Sequence, residues 1–153
     1  MQVKDFLRGR GIAFKVLEHQ PTFSAQRMAE AVHVSGERVA KCVLLKADGG
    51  YVLAVLPATH QIYIDMARDA LGAEQVEIAD EDDLQRVFPD CEVGVVPPFG
   101  SQYGLQTLVD TSLTEDDEIV FEANQHHESI RLKYQSFEHL EHPTVGMFAY
   151  HAF

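Results

Sequence analysis

Cysteine is scarce in this chain of 153 residues, which contains only Cys42 and Cys91. Two cysteines are too few for a disulfide framework, so we expect a reduced, cytoplasmic protein. Long apolar runs are also missing: no stretch of about eighteen uncharged apolar residues occurs, which argues against a membrane-spanning helix. The first residues show neither the basic segment nor the apolar run of a signal peptide, so we expect no secretory signal.

Positive charge is the second shortage. Lysine and arginine together number 12 against 24 acidic residues, which leaves a formal net charge of −12. This balance disfavours broad electrostatic attraction to nucleic acid or to anionic membranes. A contact with RNA would therefore have to use a small basic patch. The acidic runs at 80–83 and 115–118 are expected to be solvated turns and helix starts rather than metal sites.

The common motifs of metal and covalent catalysis are absent as well. The eight histidines show no HxH or HExxH spacing, and the two cysteines form no CxxC pair. A zinc hydrolase is therefore disfavoured. No GxSxG element and no glycine-rich phosphate loop occurs, and neither cysteine has an activating neighbour. We expect no metal and no cofactor, and a chemistry that needs no covalent nucleophile.

Apolar residues make up 46% of the chain, enough for the core of one ordinary domain. We expect a single domain over residues 1–153, with 142–153 as a C-terminal tail that packs on the core or on a second subunit. Strands and helices intermingle, which predicts an α+β fold with a mixed, partly closed β-sheet and surrounding helices. The clearest element is a hairpin of strands at 41–47 and 51–56. Further strands are predicted at 12–16, 75–78, 93–96, 106–109, 118–122 and 129–133, and helices at 3–7, after Ser24, and at 64–71, 81–87 and 136–140.

Lys41 opens the first strand of that hairpin. Alternate side chains of a strand share a face, so Lys41 points the same way as Val43 and Leu45. An ammonium on an apolar face is costly to bury unless an anionic or polar group meets it. Two interpretations remain open: a strand-end lysine that reaches to water, or a partly desolvated cation that donates hydrogen bonds to a substrate carbonyl.

A stiff loop at 94–100 is the second candidate feature. Two consecutive prolines, Pro97 and Pro98, fix two φ angles. The flanking Gly94 and Gly100 let the backbone approach a ligand closely and keep their N–H groups. Such a loop suits recognition of a small polar group, although a tight exit from a strand would use the same residues.

Hydrolysis of an activated ester needs only modest catalytic groups. Water, or a hydroxyl of the substrate, can be positioned against a carbonyl that an ammonium and backbone N–H groups polarise. Aminoacyl-tRNA esters are activated enough for this chemistry. Asp110, at the end of a predicted strand, either caps the turn that follows or receives a substrate amine.

Five segments carry a further pattern: VAKCVLL at 39–45, VLAVLPA at 52–58, GVVPPFG at 94–100, VDTSL at 109–113 and FEANQH at 121–126. Together they resemble the YbaK/prolyl-tRNA synthetase-associated family of editing domains, over residues 2 to 140. One such segment would be weak evidence, whereas five in order at compatible spacing are fairly specific.

The resemblance implies a deacylase that removes a wrongly attached amino acid from tRNA in trans. Its partners would be the aminoacyl-tRNA acceptor end and an aminoacyl-tRNA synthetase. It implies that Lys41 is catalytic and that His126 lies near the terminal ribose, although the adjacent His127 leaves the register of the two histidines open. The substrate-binding residues implied in this way are Gly94, Pro98, Phe99, Gly100, Asp110, Asn124 and His126.

The resemblance leaves the amino acid, the tRNA and the oligomeric state open. Asn124 stands where many members of that family have glycine, and asparagine tolerates the same left-handed backbone. An alternative is a non-catalytic module of the same fold that recognises an amino acid, a nucleotide or a protein partner. The acidic composition and the aromatic residues of the tail favour that alternative.

Overall fold

The structure is a computed structural model that describes residues 1–21, 25–32, 34–92, 95–122 and 124–151. Its longest strands are the two arms of a central hairpin. The helices of this part of the chain are α1 (Val3–Gly9), α2 (Ala25–Ala31), α3 (Ile64–Leu71), α4 (Glu81–Val87) and α5 (Tyr134–Glu141). The strands are β1 (Lys15–Glu18), β2 (Ala40–Ala47), β3 (Gly50–Pro57), β4 (His60–Ile62), β5 (Val76–Ile78), β6 (Gln106–Asp110), β7 (Glu118–Glu122), β8 (Glu128–Lys133), β9 (Thr144–Gly146) and β10 (Ala149–His151).

The central sheet has five strands in the order β5-β2-β3-β6-β9. The hairpin strands β2 and β3 pair antiparallel over their whole length, from Ala40 opposite Pro57 to Ala47 opposite Gly50. Strand β6 runs parallel to β3, and β9 runs parallel to β6. The sheet is therefore mixed, and it does not close into a barrel. The predicted α+β class with a mixed sheet around one hairpin is confirmed.

Two smaller sheets complete the single domain. Strands β1, β8 and β7 form an antiparallel sheet, and β4 pairs with β10. Within the part of the chain that the structure describes, the three-stranded sheet meets the central one at a single parallel bridge between Val39 and Val120. This bridge brings β7 alongside the first residues of β2.

The two faces of the central sheet pack against different groups of residues. On one face, Leu44 and Leu53 belong to the main core, which contains Phe99, Phe121 and Phe137. The opposite face carries two smaller apolar groups. The α3 group includes Leu45, Leu56, Ala67 and Phe148. The α2 group includes Met28, Val39, Ala58 and Val120.

The start of α4 and the end of α3 lie where sequence signals predict them. Helix α4 starts at a capping box in which the Asp80 side chain accepts from Asp83 N–H, while Asp83 accepts from Asp80 N–H. Helix α3 ends at Gly72, which has the left-handed φ of +63° that glycine adopts without a Cβ penalty. Helix α5 is longer than its predicted 136–140 core. Within the described ranges, no helix is long and apolar enough to cross a bilayer.

Several predictions of local structure need correction. The first strand lies at Lys15–Glu18 rather than at 12–16. Val95 and Val96 are not in a strand, because Val95 N–H turns back to the carbonyl of Glu92 at 3.0 Å. The rest of that predicted strand, at residues 93 and 94, and the predicted helix cap at Ser24 lie outside the described residues. The tail contributes strands β9 and β10, and its Phe148 is fully buried in the domain.

Candidate functional site

Lys41 lies on the face of the central sheet that carries the two smaller apolar groups. Its neighbours on that face along β2 are Val39, of the α2 group, and Val43, which packs on the α3 group. The prediction that Lys41 shares a face with apolar side chains is therefore correct. The aliphatic part of the Lys41 side chain therefore leaves the strand between two apolar groups rather than on a polar surface.

This position partly removes Lys41 from water. The residue is half-buried, and burial lowers the pKa of its ammonium below the ordinary value. Within the described ranges, the ammonium has neither an ion-pair nor a hydrogen-bond partner. A partly desolvated cation without a counter-charge attracts an anion or a polarised carbonyl oxygen.

Lys41 lies just beyond the point where the two larger sheets meet. Among the described residues, β2 and β7 pair only at the Val39–Val120 bridge, and no backbone pairing joins them beyond it. Lys41 comes two residues after Val39, and Glu122 comes two residues after Val120. Because strand side chains alternate, both project to the same side as the bridging valines. We call this gap in strand pairing, flanked by Lys41 and Glu122, the β2–β7 cleft.

Glu122 and His126 form a close pair on the β7 side of this cleft. His126 Nδ1 lies 3.2 Å from Glu122 Oε2, which is within ion-pair distance but outside hydrogen-bond geometry, and the two side chains are 12% and 11% exposed. The backbone N–H of His126 donates to Glu92 Oε2 at 3.1 Å. Burial raises the pKa of Glu122 to about 7; His126 opposes this rise and Glu92 adds to it. His126 was predicted from the resemblance, whereas Glu122 was missed.

Asp110 shares the sheet face of Lys41. Val109 of β6 pairs with Val55 of β3, so the next residue, Asp110, lies beside Leu56. Lys41 of β2 pairs with Leu56 from the other side of β3. Leu56 therefore separates the two charged residues. Two strand spacings correspond to about 10 Å between their backbones. The Asp110 carboxylate is 2% exposed and accepts four hydrogen bonds, from Phe148 N–H, Ala149 N–H, and the N–H and hydroxyl of Ser112. Each donor belongs to the protein itself.

The loop after residue 94 packs mainly towards the other face of the sheet. Phe99 is fully buried in the main core, where its ring makes edge contacts with Phe6, Phe121 and Phe137. Pro98 is buried, and Gly94 lies outside the described residues. The N–H groups of Val96 and Phe99 carry no hydrogen bond within the described ranges; Val96 is partly exposed, whereas Phe99 is fully buried.

Gly100 has a packing role. Its N–H donates to Thr107 Oγ1 at 3.1 Å, and Thr107 in turn donates to the buried Glu141 at 2.7 Å. A Cβ at position 100 would lie 2.5 Å from Thr107 Oγ1. Glycine is therefore required for close approach to β6. Glu141 also accepts from the N–H and the hydroxyl of Ser101, so one carboxylate secures the end of the loop.

Asn124 holds the N-terminal segment. Its side-chain oxygen accepts from Val3 N–H at 3.1 Å, and its side-chain nitrogen donates to the Met1 carbonyl at 2.9 Å. The residue is 4% exposed and has a φ of +68°. The left-handed backbone expected at this position is confirmed, and the side chain is fully engaged with the start of α1.

The predicted residues have different surroundings. Lys41 and Asp110 lie on the same sheet face, and His126 contacts Glu122 from the turn after β7. The side chains of Phe99 and Asn124 belong to the main-core side. In the described part of the chain, no group of three or more histidine, cysteine or acidic side chains could hold a metal ion. Burial raises the pKa of the Cys42 thiol, which is the opposite of activation.

Glu122 could have been found by the reasoning that singled out Lys41. Alternation along the strand at 118–122 places Glu122 on the face of Val120, at the end of an apolar strand. Its contact with His126 depends on the turn that follows, which contains the left-handed Asn124. The pairing itself therefore required the structure.

The sequence matches one family model and part of a curated relative. A model described as the aminoacyl-tRNA editing domain matches residues 19–140. A proline–tRNA ligase of Geobacillus thermodenitrificans (strain NG80-2) is 30% identical over 83 residues. That match covers 54% of this chain but only 14% of the ligase, so the chain corresponds to a small part of that enzyme.

Solved structures show the same fold. The crystal structure of a hypothetical protein superposes with a TM-score of 0.89 and 18% identity, covering 98% of this chain and all of the other. A protein described as a proposed trans-editing enzyme for prolyl tRNA synthetase superposes with a TM-score of 0.85 and 20% identity, covering 97% and 94% of the two chains. At these identities the likeness is one of fold.

Proposed function

The chain belongs to the aminoacyl-tRNA editing domain family, and from that premise we propose that it hydrolyses the ester of a misacylated tRNA in trans. The observation that carries the proposal is Lys41, a half-buried cation without a counter-charge in the described ranges, at the edge of the β2–β7 cleft. An ammonium in this setting is suited to meet a carbonyl oxygen as negative charge develops on it.

The proposed reaction is a direct attack by water. Water adds to the ester carbonyl carbon and gives up one proton, and the carbonyl oxygen becomes an oxyanion. Collapse of the intermediate breaks the bond to the ribose oxygen, which takes up that proton. The amino acid leaves as its carboxylate after releasing the second proton of the water to solvent. Lys41 would donate to the oxyanion, and partial burial strengthens this interaction because less water competes for it.

The remaining residues would position the substrate. The loop at 94–100 would offer backbone N–H groups to the aminoacyl moiety, with Pro97 and Pro98 keeping it stiff. His126 would contact the terminal ribose from the β7 side of the cleft. Asp110, Gly100 and Asn124 would support the site through the hydrogen bonds that hold the tail, the loop end and α1. No metal or cofactor is part of the proposed reaction.

A panel of mischarged tRNAs tests the proposal. The similarity to part of a proline–tRNA ligase makes proline-accepting tRNA charged with alanine, serine or cysteine the first substrate set. We expect faster deacylation of at least one substrate than in buffer alone. Lys41→Ala should lower kcat by about 10²–10³-fold, as expected on losing one oxyanion donor.

Lys15→Ala is the matched control. Lys15 is an exposed lysine on β1, so its loss removes one positive charge from a strand outside the cleft. The control should keep nearly full activity. Equal losses in the two variants would mean that Lys41 acts only through general attraction to tRNA, and an unaffected Lys41→Ala would refute the proposed role.

A second candidate is a non-catalytic module that binds an amino acid, a nucleotide or a protein partner. The net charge of −12 and the exposed side chains of Tyr63 (50%), Met147 (64%) and Tyr150 (48%) favour it. Free amino acids or adenosine compounds would then raise the melting temperature without ester cleavage by the protein. Turnover of any mischarged tRNA would exclude a purely binding role.

A further inference from the structure

Buried carboxylates in this protein fall into two kinds. Asp110 accepts four hydrogen bonds and Glu141 accepts three, all from groups of the fold. The carboxylate of Glu122 contacts one polar partner in the described part of the chain, the ring of His126. Burying a carboxylate is unfavourable unless several donors meet it. Glu122 therefore does little to hold the fold, and its side chain is placed for a different reason.

We propose that Glu122 is a positioning residue that orients His126 in the β2–β7 cleft. This inference rests on the proposed deacylase function and goes beyond it, because neither the resemblance nor the comparisons assign Glu122 a role.

Two carboxylates contact His126. Glu122 Oε2 lies 3.2 Å from the ring Nδ1, and Glu92 Oε2 accepts from the backbone N–H. A carboxylate this close to Nδ1 favours, by electrostatic attraction, the imidazole form that carries its proton there. Glu122 thereby biases the tautomer and the orientation of the ring, which a neutral or apolar side chain at position 122 would not do.

Ser129 lies opposite Glu122 on the neighbouring strand. The two residues are register partners across β7 and β8, and Ser129 is fully buried. Its hydroxyl is engaged with His19 Nε2 at 2.8 Å, on the segment that follows β1. The hydroxyl thus has a partner in His19, and Glu122 remains directed to His126.

The charge of Glu122 changes near neutral pH. The charged and titratable groups around Glu122 in the described ranges are His126 in the following turn, Glu92 before the 94–100 loop, and His19 beyond Ser129. With the pKa of Glu122 raised to about 7 by burial, the carboxylate is charged above that pH and protonated below it. Deacylation should therefore decline as the pH falls through about 7.

Glu122→Gln is the decisive variant, because it keeps the size of the side chain and removes its charge. We expect kcat to fall about tenfold with little change in KM, as for other carboxylates that orient a functional histidine. The decline of kcat between pH 8 and 6 should disappear after spontaneous hydrolysis is subtracted at each pH. Glu128→Gln is the matched control: Glu128 lies on the neighbouring strand, pairs with Lys4, and should leave the pH profile unchanged.

The double variant separates positioning from a structural role. If Glu122 acts through His126, then Glu122→Gln combined with His126→Ala is no slower than His126→Ala alone. Losses that multiply would overturn the proposal, as would a Glu122→Gln enzyme with the kcat and pH profile of the natural sequence.

A separate measurement distinguishes failure of this inference from failure of the proposed function. In the protein without substrate, nitrogen–proton NMR reports the tautomer of His126, with His126→Ala to assign the signal. The proposal predicts a proton on Nδ1 that is redistributed in Glu122→Gln. An unchanged tautomer would refute the positioning role even if the enzyme is active. Lack of turnover with the predicted tautomer would instead refute the deacylase function.

Discussion

Asp110 Oδ1 accepts hydrogen bonds from the backbone N–H of Phe148 at 2.9 Å and of Ala149 at 3.0 Å. One carboxylate therefore joins the end of β6 to the start of β10. Phe148 packs in the α3 group, on the same sheet face as Lys41. The tail therefore covers that face of the sheet. Its attachment depends on Asp110, to which the sequence resemblance assigns a substrate-binding role.

Asp110→Ala should destabilise the protein through this attachment. The substitution leaves two backbone N–H groups without their acceptor, and each unpaired buried donor costs about 1–3 kcal/mol. We expect a loss of about 2–4 kcal/mol in the free energy of unfolding, measured by urea denaturation. Asp65→Ala is the control, because Asp65 is 63% exposed and should cost less than about 0.5 kcal/mol. A stable Asp110→Ala protein that has lost activity would instead indicate direct contact with substrate.

Gly100→Ala should disturb the loop end. The added Cβ would lie 2.5 Å from Thr107 Oγ1 and 3.3 Å from Leu53 Cβ. Overpacking of this kind costs about 1–3 kcal/mol. Gly9→Ala is the matched control: no atom lies within 4 Å of the Cβ it would add, and it ends helix α1. It should be neutral or stabilising by up to about 1 kcal/mol in thermal unfolding. Equal melting temperatures for the two variants would contradict the packing role of Gly100.

Substitutions at Asn124 should separate its backbone from its side chain. Asn124→Gly and Asn124→Ala both lose the hydrogen bonds to Met1 and Val3. Only alanine also bears the strain of the left-handed φ of +68°, which costs about 1–2 kcal/mol. Asn124→Ala should therefore unfold at lower urea concentration than Asn124→Gly. The reverse order would show that the backbone conformation at 124 is not the limiting factor.

Stability should depend on pH through Glu122. Because burial raises the pKa of Glu122 to about 7 from an ordinary value of 4.5, the folded protein binds this proton more tightly than the unfolded chain does. Its contribution is fully present below about pH 4.5 and is lost as the pH rises to about 7. The melting temperature of the natural sequence should therefore decline more steeply between pH 5 and 8 than that of Glu122→Gln. Parallel curves would contradict the raised pKa.

Local signals in the sequence account for much of the fold. The hairpin at Ala40–Pro57 was predictable because two apolar runs flank a turn, and α3 and α4 carry their own end signals in Gly72 and Asp80. The strands β4, β9 and β10 were missed because each has three residues and little alternation. Their pairing joins distant parts of the chain, as between Gln61 and Tyr150.

The site was predictable only where local geometry determines it. Strand alternation correctly placed Lys41 on an apolar face. The contacts of Asn124 with Val3, and of Asp110 with Phe148, depend on chain segments far apart in sequence, so no local pattern indicates them. The burial of Phe99 in the main core likewise follows from the packing of α1, β7 and α5 around it.

The most direct test of the account compares single-turnover deacylation by Lys41→Ala and Lys15→Ala on the best mischarged tRNA of the panel. Both variants lose one lysine from a strand, but only Lys41 borders the β2–β7 cleft. The account predicts a rate at least about 10²-fold below the natural sequence for Lys41→Ala, with Lys15→Ala close to it. Equal rates for the two variants would contradict the central role of Lys41.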